Sequence, residues 1–156
     1  MATEIERKFL VVSDTWRAHV SSETRYVQGY LSTRASASVR VRIGGDRAFL
    51  NIKSGRSAVR RLEYEYPIPV ADAREILEDV IELPVIDKTR YEVRHGGHLW
   101  EVDVFEGANA GLVVAEVELE SEDEPFERPE WVGAEVSEDP RYLNINLVHH
   151  PYHDWS

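Results

Sequence analysis

Glu4-Ile5-Glu6-Arg7-Lys8 opens the chain with acid, acid and base at alternate positions, and alternate residues of a β-strand point to one side. As a strand, the stretch puts Glu4, Glu6 and Lys8 on one face and Ile5, Arg7 and Phe9 on the other. A first strand ordinarily turns an apolar row toward the core. Here a fully charged row competes with one that is only partly apolar, so the charged face reads as chemical.

The same alternation continues outward from this stretch. Arg40 and Arg42 share a face beside the Gly44-Gly45 turn, Lys53 lies on the return strand, and Arg61, Glu63 and Glu65 share a face of the next. Further on come Lys88 with Arg90, Glu101 with Asp103, and Glu116 with Glu118 and Glu120. Val39, Val41, Ile43, Leu50, Ile52, Tyr64, Tyr66, Val102, Val104, Val117 and Leu119 stand between them. On a single antiparallel strand such alternation is ordinarily a solvated face with cross-strand ion pairs. Repetition favours another reading: strands that are mostly basic or mostly acidic at alternate sites repel themselves unless ligands compensate. The pattern predicts a barrel with an ionic lumen and an apolar outer face partly covered by helices. Basic rows call for anionic oxygen, and acidic rows call for a cation.

Composition sets the frame. A length of 156 residues predicts one domain over residues 1–156, long enough to bury its own core. The chain has no cysteine, which excludes disulfides and thiolate chemistry and fits a reducing, cytoplasmic setting. Its apolar runs are too short to cross a bilayer, and its formal net charge of −11 opposes nucleic-acid binding, which depends on Lys and Arg displacing phosphate counterions. A small polyanion remains compatible if basic side chains converge in a cavity. Hairpin signals at Gly44-Gly45-Asp46 and Gly96-Gly97 predict mainly antiparallel β structure. A short helix capped by Asp14 is expected over 14–20 and a longer one over 71–82, where Ile76, Leu77, Val80 and Ile81 form an apolar stripe ended by Pro84. The acidic segment 122–129 reads as a loop and 142–149 as a small helical piece.

These residues resemble the CYTH superfamily, the triphosphate tunnel metalloenzymes. Glu4-Ile5-Glu6-Arg7-Lys8 matches the ExExK signature. Gln28-Gly29-Tyr30-Leu31, Arg40-Val41-Arg42, Leu50-Asn51-Ile52-Lys53, Glu63-Tyr64-Glu65, Lys88-Thr89-Arg90, Glu101-Val102-Asp103 and Glu116-Val117-Glu118-Leu119-Glu120 follow in the family's order over nearly the whole chain. ExExK alone is a weak motif, whereas the ordered set is specific. The resemblance implies an α+β, mainly antiparallel protein: an eight-stranded closed barrel with a few flanking helices, holding a triphosphate with Mg²⁺ or Mn²⁺.

What the resemblance implies for the site follows the chemistry of each group. Lys8, Arg40, Arg42, Lys53, Lys88 and Arg90 are expected to bind phosphate oxygens. Glu4, Glu6, Glu116 and Glu118 are expected to ligate the metal, and Asp103 either joins them or supports the arginines, as does Glu65. Glu4, Glu6, Glu63 and Glu65 are the candidates for orienting water, with Lys8 neutralising the leaving side. The expected reaction is hydrolysis of inorganic tripolyphosphate to pyrophosphate and phosphate by a monomer or homodimer. The alternatives are thiamine triphosphate hydrolysis, with Tyr26, Tyr30 or Trp16 as an aromatic slot, class IV-type adenylyl cyclisation, and noncatalytic polyphosphate or nucleotide binding.

Other residues draw plainer readings. Arg61 is expected in a surface ion pair, and Glu101 and Glu120 in solvent at strand ends. Trp16, Trp100, Trp131 and Trp155 are expected to be packing anchors. His149, His150 and His153 lack the ligand spacing of a zinc site. Arg141, in Arg141-Tyr142-Leu143-Asn144 where the family often has basic-Tyr-Ser-Asn, either meets phosphate or caps the last helix.

Overall fold

The computed structural model describes residues 3–34, 36–55, 59–82 and 84–155. Its strands are β1 (Thr3–Val11), β2 (Val20–Arg34), β3 (Ala37–Gly44), β4 (Arg47–Gly55), β5 (Arg60–Ile68), β6 (Ile86–His95), β7 (His98–Phe105), β8 (Val113–Glu118) and β9 (Val132–Glu135). Hydrogen bonding runs in the order β5-β4-β3-β2-β6-β7-β8-β1-β9, and an additional β5–β1 pairing closes the first eight strands into a ring. Every pairing is antiparallel. Closure depends on how β1 divides its edges: residues 3–5 pair with β5 while residues 6–10 pair with β8. The free lower part of the β5-side edge is taken by β9, opposite Phe9 and Val11. This ninth strand was not apparent from the sequence.

The apolar rows face outward and form two of the three cores. Ile5, Phe9, Val93, Trp100, Val102, Ala115 and Val117 pack under Trp16, Phe126 and Trp131, so the loop after β8 and the short 3₁₀ turn Thr15–His19 cover that wall. Asp14 makes no capping hydrogen bond to this turn, contrary to expectation; its carboxylate lies 3.8 Å from Arg17 instead. On the opposite wall, Val41 and Ala48 are sealed by Ala73, Ile76 and Leu77 from helix α1 (Val70–Glu75) and the wider π-helical turn Ile76–Val80 that continues it. The helix ends before Pro84 because Ile81 is already extended. Gly29 lies beneath this cover, and a Cβ there would approach Leu77 Cδ2 to 3.0 Å.

The third core lies inside the ring. Leu10, Ile86, Phe105 and Val114 continue the inward-facing rows and meet Tyr142, Leu147 and Val148 of the C-terminal segment. That segment consists of a 3₁₀ turn, Pro140–Tyr142, and the short helix α2 (Asn144–Leu147). Apolar contact thus fills one part of the lumen and leaves the ionic part as a cavity.

Candidate active site

Antiparallel register brings the charged rows together. Lys8 stands opposite Glu116 and Glu6 opposite Glu118, Glu4 opposite Arg61, Arg40 opposite Asn51, Asn51 opposite Glu65 and Lys53 opposite Glu63, and Arg90 opposite Asp103. All of these but Asp103 line a cavity of about 850 Å³. Its wall contains Glu4, Glu6, Lys8, Arg40, Arg42, Lys53, Glu63, Glu65, Arg90, Glu116 and Glu118 from the sequence-derived set, together with Arg61 and Glu101. Arg61 and Glu101 correct the sequence reading, which put both in solvent. Arg61 enters through the closing seam beside β1, and Glu101 is held 3.2 Å from Arg90. The segment after β9 adds Ser137, Leu143, Asn144, Ile145 and Asn146.

Two expected site residues do not reach the cavity surface. Lys88 is fully buried and Asp103 is 1% exposed, with Lys88 Nζ 2.7 Å from Asp103 Oδ2. Asp103 also accepts Arg90 Nε at 2.8 Å and Nη2 at 2.9 Å. The expectations of a substrate-facing ammonium at Lys88 and a metal-facing carboxylate at Asp103 are therefore corrected: each is committed to a partner below the surface. Parity assigns a face of the strand, and these two lie deeper along it.

The cationic side of the wall is only partly paired. Arg40 is 5% exposed, and its guanidinium has no hydrogen bond or ion pair among the described residues. Arg42 donates to Gln28 Oε1 at 2.8 Å and lies 4.4 Å over the ring of Tyr26. Burial, with Arg40 and Arg90 close by, pushes its pKa down to about 9. Guanidiniums crowded to that degree form a site for anionic oxygen.

The acidic side is a run of neighbouring carboxyls, Glu63, Glu4, Glu6 and Glu116, in which Glu4 Oε2 is buried without a hydrogen-bond partner among the described residues. Burial and the contact with Glu63 push Glu4 up to about 7, and burial with the adjacent Glu116 raises Glu6 well above the carboxylate range. Burial opposes ionisation of the outer two as well. The hydrogen bond from Glu4 and the field of Lys53 nevertheless hold Glu63 down to about 2, and Lys8 and Arg90 hold Glu116 low. Carboxyls crowded in this way disfavour their joint ionisation and suit a hard cation among them. Lys53 Nζ stands 3.5 Å from Glu4, and Lys8 Nζ stands 3.5 Å from Glu116 and 3.0 Å from the Tyr142 carbonyl. Among the described residues, no three Asp, Glu or His side chains close on one point as a finished metal cage. The donors therefore suit a cation that takes one or two carboxylates and completes its shell with water and phosphate.

Several remaining residues fall outside the site. Trp16 is buried beneath the outer wall and Tyr26 lies under Arg42, which leaves Tyr30 as the one aromatic of the proposed slot in the cavity wall. Arg141 neither lines the cavity nor caps α2; it pairs with Asp139 at 2.7 Å over Trp155. Trp100 and Trp131 pack edge to face, 5.7 Å apart.

Sequence comparison matches the CYTH domain over residues 2–152. The chain is 49% identical over 152 residues to the inorganic triphosphatase of Acetivibrio thermocellus, with 97% of each chain covered. It is 41% identical over 150 residues to the inorganic triphosphatase of Nitrosomonas europaea, covering 94% of this chain and 97% of that one. The crystal structure of the inorganic triphosphatase NE1496 superposes with a TM-score of 0.69 at 39% identity over 95% of both chains. A putative adenylyl cyclase from Hippeastrum, described as having a dominant triphosphatase activity, has a TM-score of 0.60 at 15% identity over 76% of this chain and 80% of its own. That last likeness is one of fold alone.

Proposed function

The chain belongs to the CYTH domain family, and from that premise we propose that it is a metal-dependent inorganic triphosphatase that cleaves tripolyphosphate to pyrophosphate and phosphate inside the barrel. The observation that carries this reading is Arg40, a buried cation with no hydrogen bond or ion pair among the described residues, in a wall that faces a run of carboxyls. A pure anion binder gains nothing from those carboxyls, and a pure cation binder gains nothing from the arginines.

In this reading Arg40, Arg42, Arg90 and Lys53 grip the phosphate oxygens, the arginines through paired donors. Glu4, Glu6, Glu116 and Glu118 hold Mg²⁺ or Mn²⁺, which when bound supplies charge neutralisation on the phosphates and activation of water. Glu63 is the best placed of the remaining carboxylates to orient water, since it stays ionised and its Oε1 is fixed by Asn51 Nδ2 at 3.1 Å. The same amide holds Glu65 at 2.8 Å, giving that residue a supporting role. Lys8, released from the Tyr142 carbonyl, is available to the leaving phosphate.

The test is phosphate release from tripolyphosphate, ATP and thiamine triphosphate, each with Mg²⁺, Mn²⁺ or EDTA. Tripolyphosphate is expected to turn over fastest and only with metal. Tight metal-dependent binding without turnover of any of the three would make the barrel a binding module. Preferential turnover of an organic triphosphate would reassign the substrate.

A further inference from the structure

Lys88 and Asp103 are buried charges that the mechanism above leaves without a task. A carboxylate that grips a guanidinium through two donors fixes its plane, and it also cancels the positive charge the guanidinium offers to anything else. Asp103 holds Arg90 in this way, through Nε at 2.8 Å and Nη2 at 2.9 Å. Left as a pair, Arg90 and Asp103 present no net charge to the cavity. Lys88 changes the sum: its ammonium, itself fully buried, touches Asp103 at 2.7 Å, with the Phe105 ring 5.6 Å away. Lys88, Arg90 and Asp103 together carry one positive charge, which Glu101 partly offsets from the cavity wall, 3.2 Å from Arg90 Nη1; of the first three only Arg90 lines the cavity. A buried ion pair is seldom more stabilising than apolar side chains of the same volume, so stability alone does not explain these two.

Resting on the triphosphate reading of the cavity, we infer that Lys88 and Asp103 are positioning residues for phosphate binding: Asp103 aims Arg90, and Lys88 offsets the Asp103 charge so that Arg90 keeps positive charge to offer phosphate. Lys88 acts on the substrate without touching it. The role depends on charge, since a neutral hydrogen-bond donor at the same place would satisfy Asp103 and still leave Arg90 electrically cancelled.

The experiment is calorimetric binding of tripolyphosphate in EDTA at pH 6.5, below the value of about 7 to which burial pushes the Lys88 ammonium. Steady-state kcat and KM with Mg²⁺ are measured in parallel. Lys88→Met and Lys88→Gln should weaken binding alike, by about tenfold or more, as expected for a unit charge lost within several ångström of the anion at an effective dielectric of ~20. The loss should appear in KM. The double variant Lys88→Met/Asp103→Asn removes both charges and should recover most of the lost affinity, a coupling that a double-mutant cycle isolates. Thermal unfolding identifies any variant that fails to fold, and the Lys88→Gln and double variants each test the inference separately. A double variant as weak as Lys88→Met, or single variants that bind like wild type, would overturn this inference alone. Wild-type protein that binds no tripolyphosphate in EDTA and releases no phosphate from it with Mg²⁺ would overturn the proposed function, and this inference with it; absence of binding in EDTA alone would overturn the inference.

Discussion

Arg40 is held at 5% exposure with its Nε unpartnered and Arg42 close enough to be destabilised by it. Such an arrangement costs stability and is retained at sites where a ligand supplies the missing charge. Arg40→Met should therefore leave the melting temperature unchanged or raise it by about 2–4 °C, while weakening tripolyphosphate binding about 10- to 100-fold, the value of a charge-assisted contact. A lower melting temperature with unchanged binding would mean that Arg40 is structural. Glu4 gives a pH signature. Its proton is held up to about pH 7 in the folded chain against 4.5 ordinarily, so between those values the folded state binds more protons and stability falls as pH rises. Its contribution is complete below 4.5 and gone above 7, at a slope approaching ~1.4 kcal/mol per pH unit. Denaturant unfolding of metal-free protein from pH 5 to pH 7 should show this decline, and Glu4→Gln should make it shallower, with Glu6 keeping part of the slope. An identical slope in both proteins would place the proton elsewhere. At this scale the sequence was informative about facing and uninformative about depth. Strand parity put Glu4, Glu6, Lys8, Arg40 and Arg42 on one side, where the structure has them, but it could not separate cavity-lining Arg90 from Lys88 two residues earlier. Arg61 and Glu101 were misread because their neighbours come from strands distant in sequence.

The hairpin joining β3 to β4 shows how an element sets the site. Gly44 pairs with Tyr26 across β2 and β3, and a Cβ on Gly44 would come 2.3 Å from Tyr26 Cε1. The glycine makes room for the ring that supports Arg42. Gly44→Ala should displace Tyr26, destabilise the protein by about 1–3 kcal/mol as overpacking does, and raise KM for tripolyphosphate several-fold with a smaller change in kcat. Unchanged KM in a destabilised protein would show that the ring is not needed to hold Arg42. Most elements were legible, because period-2 charge alternation and paired glycines are strong local signals. Gly96 and Gly97 close the β6–β7 hairpin with φ of +59° and +79°, the conformation such a pair favours. The elements that escaped lack local periodicity. β9 is four residues long, and its place is decided by the edge of β1 left open below β5. The C-terminal segment enters the lumen through Tyr142 and Leu147, a tertiary choice that no repeat along the chain announces. The helix expected over 71–82 forms, but widens into a π turn and stops at Val80.

For the whole molecule the decisive property is a partial inversion: two of the three apolar cores pack outside the ring, and much of the charge lies within it. A protein with a formal net charge of −11 can hold a polyanion only if its cations converge where the surplus acid does not, or where a cation neutralises that acid. Closure gathers Arg40, Arg42, Lys53 and Arg90 into one cavity wall, and because acids stand beside Lys53 and Arg90, it is the second condition, a cation among the carboxyls, that applies. The seam that makes this possible is short, pairing Thr3, Ile5 and the catalytic candidate Glu4 with residues 60–62. The central claim is thus spatial, and crystals grown with tripolyphosphate and Mn²⁺ test it most directly through the anomalous signal of manganese. The account predicts phosphates against Arg40, Arg42 and Arg90 inside the barrel, with manganese between them and the Glu4, Glu6 and Glu116 carboxylates. Tripolyphosphate bound on the outer surface, or manganese bound away from those carboxylates, would contradict it.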